Sequence, residues 1–225
     1  MHWDWIAQVQ WDWSFVEEIL PRLLDGFKLT VLATVLASAL SLVLGLAIAL
    51  AKRSPRRVVS MPIYGATEFI RRTPLLVQLY FIFYVLPTLG ITLEPLAAGV
   101  IGLGVHYSTY TSEIYRGGID SIHRGQWDAA TALAFPRVRT WRNVILPQAI
   151  PRSLPALGNT VIAMFKETAL LSAITVQELL GVGREIGAET YDTLEPLTIA
   201  AVLYFAVSYP SSVLVRALER RVAHP

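Results

Sequence analysis

The residues that could do chemistry here are ionisable side chains set inside apolar sequence. Glu68, Arg71, Arg72 and Thr73 lie within the apolar stretch 62–86. Glu113 closes the run His106-Tyr107-Ser108-Thr109-Tyr110-Thr111-Ser112 in a second stretch, and Lys166-Glu167-Thr168 interrupts a third. Charges at such positions are costly in lipid and face a protein interior or a water path. A zwitterion needs one cationic and one anionic partner out of water, and aromatic faces suit a delocalised cation. Arg72, Thr73, Tyr110, Glu113, Lys166 and Glu167 are therefore the candidate substrate path. Each has a plainer reading beside it. Glu68 and Arg72, four apart, can pair on one helix face, and Glu113 and Arg116 can do the same three apart. Lys166 and Glu167 can be an internal ion pair that holds helices together. His106 alone is either a hydrogen-bonded packing residue or a proton relay.

A polar, basic stretch at 125–147, GQWDAATALAFPRVRTWRNVILP, separates two long apolar segments. Residues 126–133 have the composition of a short helix, with Ala129, Ala130 and Ala132 as strong helix formers. Pro136 cannot continue that helix, because it lacks an amide proton and its ring clashes with the preceding turn. A second amphipathic run, 138–146, is expected to end at Pro147. The result is helix, sharp turn, helix: a compact knob on a membrane surface.

Hydrophobic residues make up 54% of the 225 and charged residues 16%, and the mean hydropathy is +0.49. A soluble domain of this length is less apolar and more charged. One domain with five spans of about 20 residues each fits the length. A net charge of +2 gives no nucleic-acid surface. No cysteine is present, which excludes disulfides and cysteine-based metal sites. The four histidines lie far apart and form no metal spacing. There is no P-loop, and Gly181, Gly183 and Gly187 miss the dinucleotide fingerprint. No catalytic residue, metal or cofactor is expected, so any ATP must be handled by another subunit.

The chain is expected to be all-α. The N-terminal segment, 1–23, has no positive n-region; Trp3, Trp5, Trp11, Trp13 and Phe15 read as an interfacial anchor. The membrane domain, 24–220, holds spans at about 27–51, 62–86, 96–115, 154–174 and 196–215, with a loop at 120–150. In the first span Ala33, Ala37, Ser38, Gly45 and Ala49 supply small residues for close helix packing. Pro74 should kink or break the second. The polar third span cannot face lipid all round and should line a cavity or a subunit interface. Basic residues cluster at 52–57, in the 120–150 loop and after 215, whereas 177–195 is acidic, an outer-side composition. That arrangement puts the N-terminus outside and the C-terminus in the cytoplasm.

Asp128-Ala129-Ala130, Ala134 and Ile145-Leu146-Pro147 resemble the EAA loop of ABC importer permeases, with Asp128 where Glu is usual and Ala134 where Gly is usual. Gly permits a turn that Ala resists, so the turn here is expected to rest on Pro136. Residues 69–79 resemble the FxRGTPLLVQL segment of polar amino-acid uptake permeases, with Arg72 in place of Gly. Tyr110 through Gly118 (YTSEIYRGG), Leu146-Pro147-Gln148-Ala149 and Lys166-Glu167-Thr168 match the same group. Within it, Gly102-Leu103-Gly104-Val105-His106-Tyr107-Ser108 and residues 187–197 are similar to ectoine and hydroxyectoine permeases. The resemblance implies the type I importer permease fold with five transmembrane helices, in the bacterial inner membrane. It implies partners: ABC ATPase subunits, a second permease subunit (the same chain or a related one) and an extracytoplasmic solute-binding protein. It makes Gly125, Asp128, Ala129, Ala130, Ala134, Pro136, Ile145, Leu146 and Pro147 the ATPase-coupling residues. A stand-alone ion-coupled transporter or channel is the rival from another class; it would work without ATP and leave the knob without a partner.

Overall fold

The computed structural model describes residues 11–223, and every regular element among them is helical. Trp3 and Trp5 of the expected interfacial anchor lie outside the described residues. Helix α1 spans Trp13–Lys52. Its N-cap is Asp12, whose carboxylate accepts from the Ser14 and Phe15 amides at 2.8 and 3.2 Å. The Ser14 hydroxyl and those amides hold the Asp12 carboxyl below the usual carboxylate range. The boundary drawn at residue 23 therefore falls inside one continuous 40-residue helix.

The second expected span is two helices. Helix α2, Arg57–Arg72, stops at Thr73-Pro74, and α3, Leu75–Tyr80, restarts after it. The segments Arg57–Arg72 and Leu75–Leu89 meet at 105°. Pro74 has no N–H for the α2 ladder and forces Thr73 into an extended conformation, so the break is local chemistry. A π turn, Phe81–Val85, and a 3₁₀ turn, Leu86–Leu89, finish this arm.

Helix α4 spans Pro95–Asp120, and α5, Arg124–Ala132, follows it. Helix α6, Arg137–Thr140, runs through a π turn, Trp141–Ile145, directly into α7, Leu146–Glu167. The run expected to stop at Pro147 thus continues. The carbonyl that the Pro147 ring would strike belongs to Asn143, inside the π turn, where the helix is widened. Pro87 stands in the same relation to Phe83 and the first π turn. A 3₁₀ segment, Thr168–Ile174, leads to α8, Leu179–Thr190, and to α9, Leu194–Ala223.

Among the described residues two helices, Trp13–Lys52 and Leu194–Arg220, are long and apolar enough to cross a membrane, or three if the bent pair is one span. Helices α4 and α7 have the length, but their polar faces lower the average. On α4 that face is turned inward. Ser108, Thr109 and Ser112 donate to carbonyls of their own helix at 2.6 to 2.7 Å, and Thr111 donates across to Ser41 O of α1 at 2.9 Å, so each hydroxyl is satisfied without water. Helix α1 lies along α4 as the main contact of the bundle. Its small residues Ala33, Ala37, Ser38 and Ala49 are buried. A Cβ on Gly45 would stand 1.9 Å from Thr111 Oγ1, so the close approach needs glycine there.

The acidic segment 177–195 holds a packed helix with its cap. Glu178 is fully buried; it accepts from the Leu180 and Gly181 amides at 3.0 and 2.7 Å and from Tyr204 Oη at 2.7 Å. Leu179, Val182 and Ile186 of α8 pack on α1 and α9. Glu195 is buried as well and accepts from the Asp12 amide at 3.0 Å. Glu178 serves as the α8 N-cap and Glu195 joins the starts of α1 and α9.

Candidate functional site

Two adjoining cavities of about 360 and 440 Å³ lie between α4, α7 and the break after α2. Helix α4 contributes His106, Tyr107 and Tyr110. Helix α7 contributes Asn159, Thr160, Ala163 and Glu167, roughly one turn apart along one face. The second cavity shares His106, Tyr110 and Glu167 and adds Arg71, Arg72, Thr73 and Pro74. The break is what brings these together: it stops the ladder at Arg72 and turns the end of α2 toward α4.

Four of the six substrate-path residues expected from the sequence, Arg72, Thr73, Tyr110 and Glu167, line this space. Two do not. Lys166 precedes Glu167 by one residue, about 100° round the helix, and is exposed, with no ion pair among the described residues. The expected Lys166–Glu167 pair is therefore not formed. Glu113 sits further along α4, bonded to Lys52 Nζ at 2.8 Å and Arg116 Nη2 at 2.7 Å. The Lys52 side chain is only 6% exposed, and its Nζ also lies 5.3 Å from the Tyr64 ring centroid. Glu113 thus ties the end of α1 to α4.

The pair Glu68–Arg72 is formed at 2.9 Å, with Arg71 also on Glu68, so Arg72 is both paired and at the cavity wall. His106 is buried and hydrogen-bonded to Gln78, with Tyr107 and Tyr110 ring centroids 5.7 and 5.4 Å away. Asn159, Thr160 and Gln78 were missed by sequence reasoning. The i, i+4, i+8 spacing of Asn159, Ala163 and Glu167 was the available signal, obscured by the more conspicuous Lys166.

Glu113→Gln should lower the stability of the assembled protein by about 1–3 kcal/mol, because Lys52 keeps a buried charge with only Tyr64 for company. Arg116→Gln should cost much less, because Glu113 retains Lys52. Thermal unfolding of the two variants in detergent checks the order.

The second candidate surface is the knob. Helix α5 is capped by His123, whose Nδ1 accepts from the Gly125 amide at 3.0 Å. It ends in a Schellman turn: Phe135 N–H donates to Ala130 O at 3.0 Å and Ala134 N–H to Thr131 O at 2.9 Å. Ala134 itself takes φ +50°. The turn therefore rests on Ala134, not on Pro136, which caps α6. Trp127 and Trp141 meet edge to face at 5.2 Å, and Arg53 lies over Trp141. Ile119, Ile122, Ile145 and Ala149 form the buried base.

This base separates the expected coupling residues. Gly125, Asp128, Ala129, Ala134, Pro136 and Pro147 are exposed. Ala130 at 3% and Ile145 at 0% are buried, and Leu146 is half-buried. Ala130 and Ile145 support the knob from beneath and cannot be its docking face. Leu133 and Val138, 67% and 78% exposed, flank the turn instead. Ala134→Gly should raise the thermal stability slightly, by about 0–1 kcal/mol. It relieves about 1–2 kcal/mol of left-handed strain but adds freedom to the unfolded chain. A differential scanning measurement that shows destabilisation would contradict this assignment.

Residues 41–224 match the family described as the binding-protein-dependent transport system inner membrane component. The chain is 41% identical to a probable amino-acid ABC transporter permease of Sinorhizobium fredii, over 92% of this chain and 89% of that one. It is 37% identical to the glutamine transport system permease of Escherichia coli, over 95% and 99%. Among solved structures it superposes on an amino acid ABC transporter crystallised with histidines at a TM-score of 0.87, with 37% identity, covering 95% of this chain and 100% of that one.

Proposed function

Because the chain belongs to the family of binding-protein-dependent transport system inner membrane components, we propose the finer points of its role from the two surfaces described above. It is a permease subunit of an amino-acid ABC importer, with the type I permease fold, and it is not itself an enzyme. ATP is hydrolysed on a separate subunit, and the family works with ATPase and binding-protein partners in a membrane.

Our reading is that a small zwitterion passes through the cavity between α4, α7 and the α2–α3 break. The observation that carries it is the shared lining: Arg72, Tyr110, His106 and Glu167 put both charge signs and an aromatic wall around one space inside the bundle. Such a space can bind a carboxylate and an ammonium or amidinium at once. Within the zwitterions we favour ectoine or hydroxyectoine, on the resemblance at 102–108 and 187–197. The knob, within the 120–150 loop, is the proposed ATPase contact, and a second permease subunit, the same chain or a related one, completes the 24–220 membrane domain.

For orientation we propose an outer N-terminus and a cytoplasmic C-terminus in the bacterial inner membrane. Contacts support it. The start of α1 meets α8 and the start of α9 through Asp12–Glu195 and Arg22–Glu189. The other end of α1 meets the end of α4 and the knob through Lys52–Glu113 and Arg53–Trp141. Basic residues concentrate at that second end.

The test is uptake into proteoliposomes that hold the permease pair, its ATPase subunits and the binding protein. Radiolabelled ectoine should enter only with ATP inside the cycle, and unlabelled ectoine should compete better than glutamine or arginine. Ectoine uptake that ignores ATP would remove the importer mechanism. Competition won by glutamine or arginine would remove ectoine and keep the zwitterion.

A further inference from the structure

Gln78 joins the helix break to the cavity, and its hydrogen bonds leave no freedom in how its amide is oriented. Its Nε2 lies 2.7 Å from Ile70 O, 3.0 Å from Thr73 O and 2.7 Å from Thr73 Oγ1. Backbone carbonyls only accept, so the atom facing them is the NH₂ group. The Thr73 hydroxyl donates its own proton back to Phe69 O or Ile70 O at 3.1 Å, so toward Gln78 it can only accept, and the two amide protons are shared among these three oxygens. The amide oxygen is thereby turned toward His106, whose Nδ1 lies 3.2 Å from it. An amide oxygen only accepts, so Nδ1 must carry a proton. In a neutral ring that leaves Nε2 as a lone-pair acceptor. Nε2 makes no hydrogen bond among the described residues, and His106 lines both cavities with Glu167.

We propose that Gln78 is a positioning residue that fixes His106 as the Nδ1–H tautomer, so that its bare Nε2 and the Glu167 carboxylate together receive an N–H donor of the substrate. This rests on the reading of the cavity as the substrate path and adds which end of the zwitterion lies there: the ammonium or amidinium end, with the carboxylate end toward Arg72. Gln78 does this while strapping the two sides of the Pro74 break, because the same amide bonds Ile70 and Thr73 before the break from a position after it. The break and the proton position are one device.

His123 provides an internal contrast. Its Nδ1 accepts from the Gly125 amide, so its proton sits on Nε2, the opposite tautomer. The experiment is ¹⁵N correlation spectroscopy of histidine-labelled permease, assembled with unlabelled ATPase subunits in nanodiscs. His106→Asn assigns the His106 signals. His106 should show a protonated Nδ1 and an unprotonated Nε2, and His123 the reverse. Gln78→Met, which keeps length and loses both hydrogen-bonding functions, should abolish the single tautomer of His106 and leave His123 unchanged. The same variant should raise the KM for ATP-driven uptake about tenfold, the loss of about one hydrogen bond, with kcat nearly preserved. Adding whichever of ectoine or L-glutamine the wild-type importer transports should move the His106 Nε2 signal.

An Nε2–H tautomer at His106, or one tautomer kept in Gln78→Met, would overturn the proposal. So would an Nε2 signal that stays put when the transported compound saturates the importer. Failure of the cavity reading looks different: wild-type uptake would then persist when Glu167 and Tyr110 are both replaced, whatever the tautomer of His106.

Discussion

Leu133→Asp should cut co-purification of the ATPase subunit at least tenfold and leave the permease folded. Leu133 is 67% exposed at the tip of the knob, just before the left-handed turn at Ala134, and Val138 stands exposed on the far side of that turn. An exposed leucine that becomes buried in a partner's groove contributes about 1.5–3 kcal/mol. A carboxylate forced into the same place is desolvated without a partner, which adds to the loss. Val138→Asp should act in the same direction. The residue to avoid is Ala130. Its side chain is only 3% exposed, so Ala130→Trp would unseat the knob and lose the ATPase for a reason unrelated to docking. Pull-down of the complex, with a thermal melt of the permease alone as the control, checks the prediction. Undiminished ATPase binding by Leu133→Asp and Val138→Asp together would remove the knob from the interface.

Glu167→Gln should lower ATP-driven uptake between about tenfold and a hundredfold, with the assembled complex intact. A hydrogen bond to a charged group contributes about 1.5–3 kcal/mol, and each 1.4 kcal/mol is tenfold. The substitution preserves shape and removes the negative charge of the cavity wall. Its neighbour gives the control. Lys166→Gln should leave uptake within about twofold, because Lys166 points out of the cavity and holds no ion pair among the described residues. Equal losses for the two variants would mean that charge along the helix matters rather than position on the cavity wall.

The contrast between Lys166 and Glu167 shows what a sequence can and cannot decide. Both are ionisable, adjacent and set in apolar surroundings, so both read as functional. A single residue step turns a helix by about 100°, and only the packing of α7 against α4 selects which of them looks into the cavity. The same applies to Glu113. Its spacing from Arg116 was legible, and that pair is formed, but Lys52 reaches it from 61 residues away in the chain. That contact turned a candidate substrate ligand into a strut between helices.

Several features needed no tertiary information. Long apolar runs read as membrane helices, because backbone in lipid must be satisfied within the segment. Pro74, with Thr73 pushed to an extended conformation before it, makes a break at that point. The alanine-rich segment around residue 130 makes a short helix that stops before Pro136. These follow from single residues or from periods of one turn.

The tertiary structure decided the rest. It buried Ala130 and Ile145 and exposed Leu133 and Val138, although all four are apolar. It drew Glu178 and Glu195 into a packed layer. It carried the helix past Pro147 through a π turn. It oriented the Gln78 amide and with it the proton of His106. Each of these depends on which face of one helix meets which face of another, and on whether a donor from a distant segment arrives to satisfy an acceptor. Side-chain chemistry and local periodicity are written in residue order. Register between helices is set by packing of surfaces far apart in that order, where close approach at Gly45 and Thr111 chooses one rotation of α1 on α4 over its neighbours.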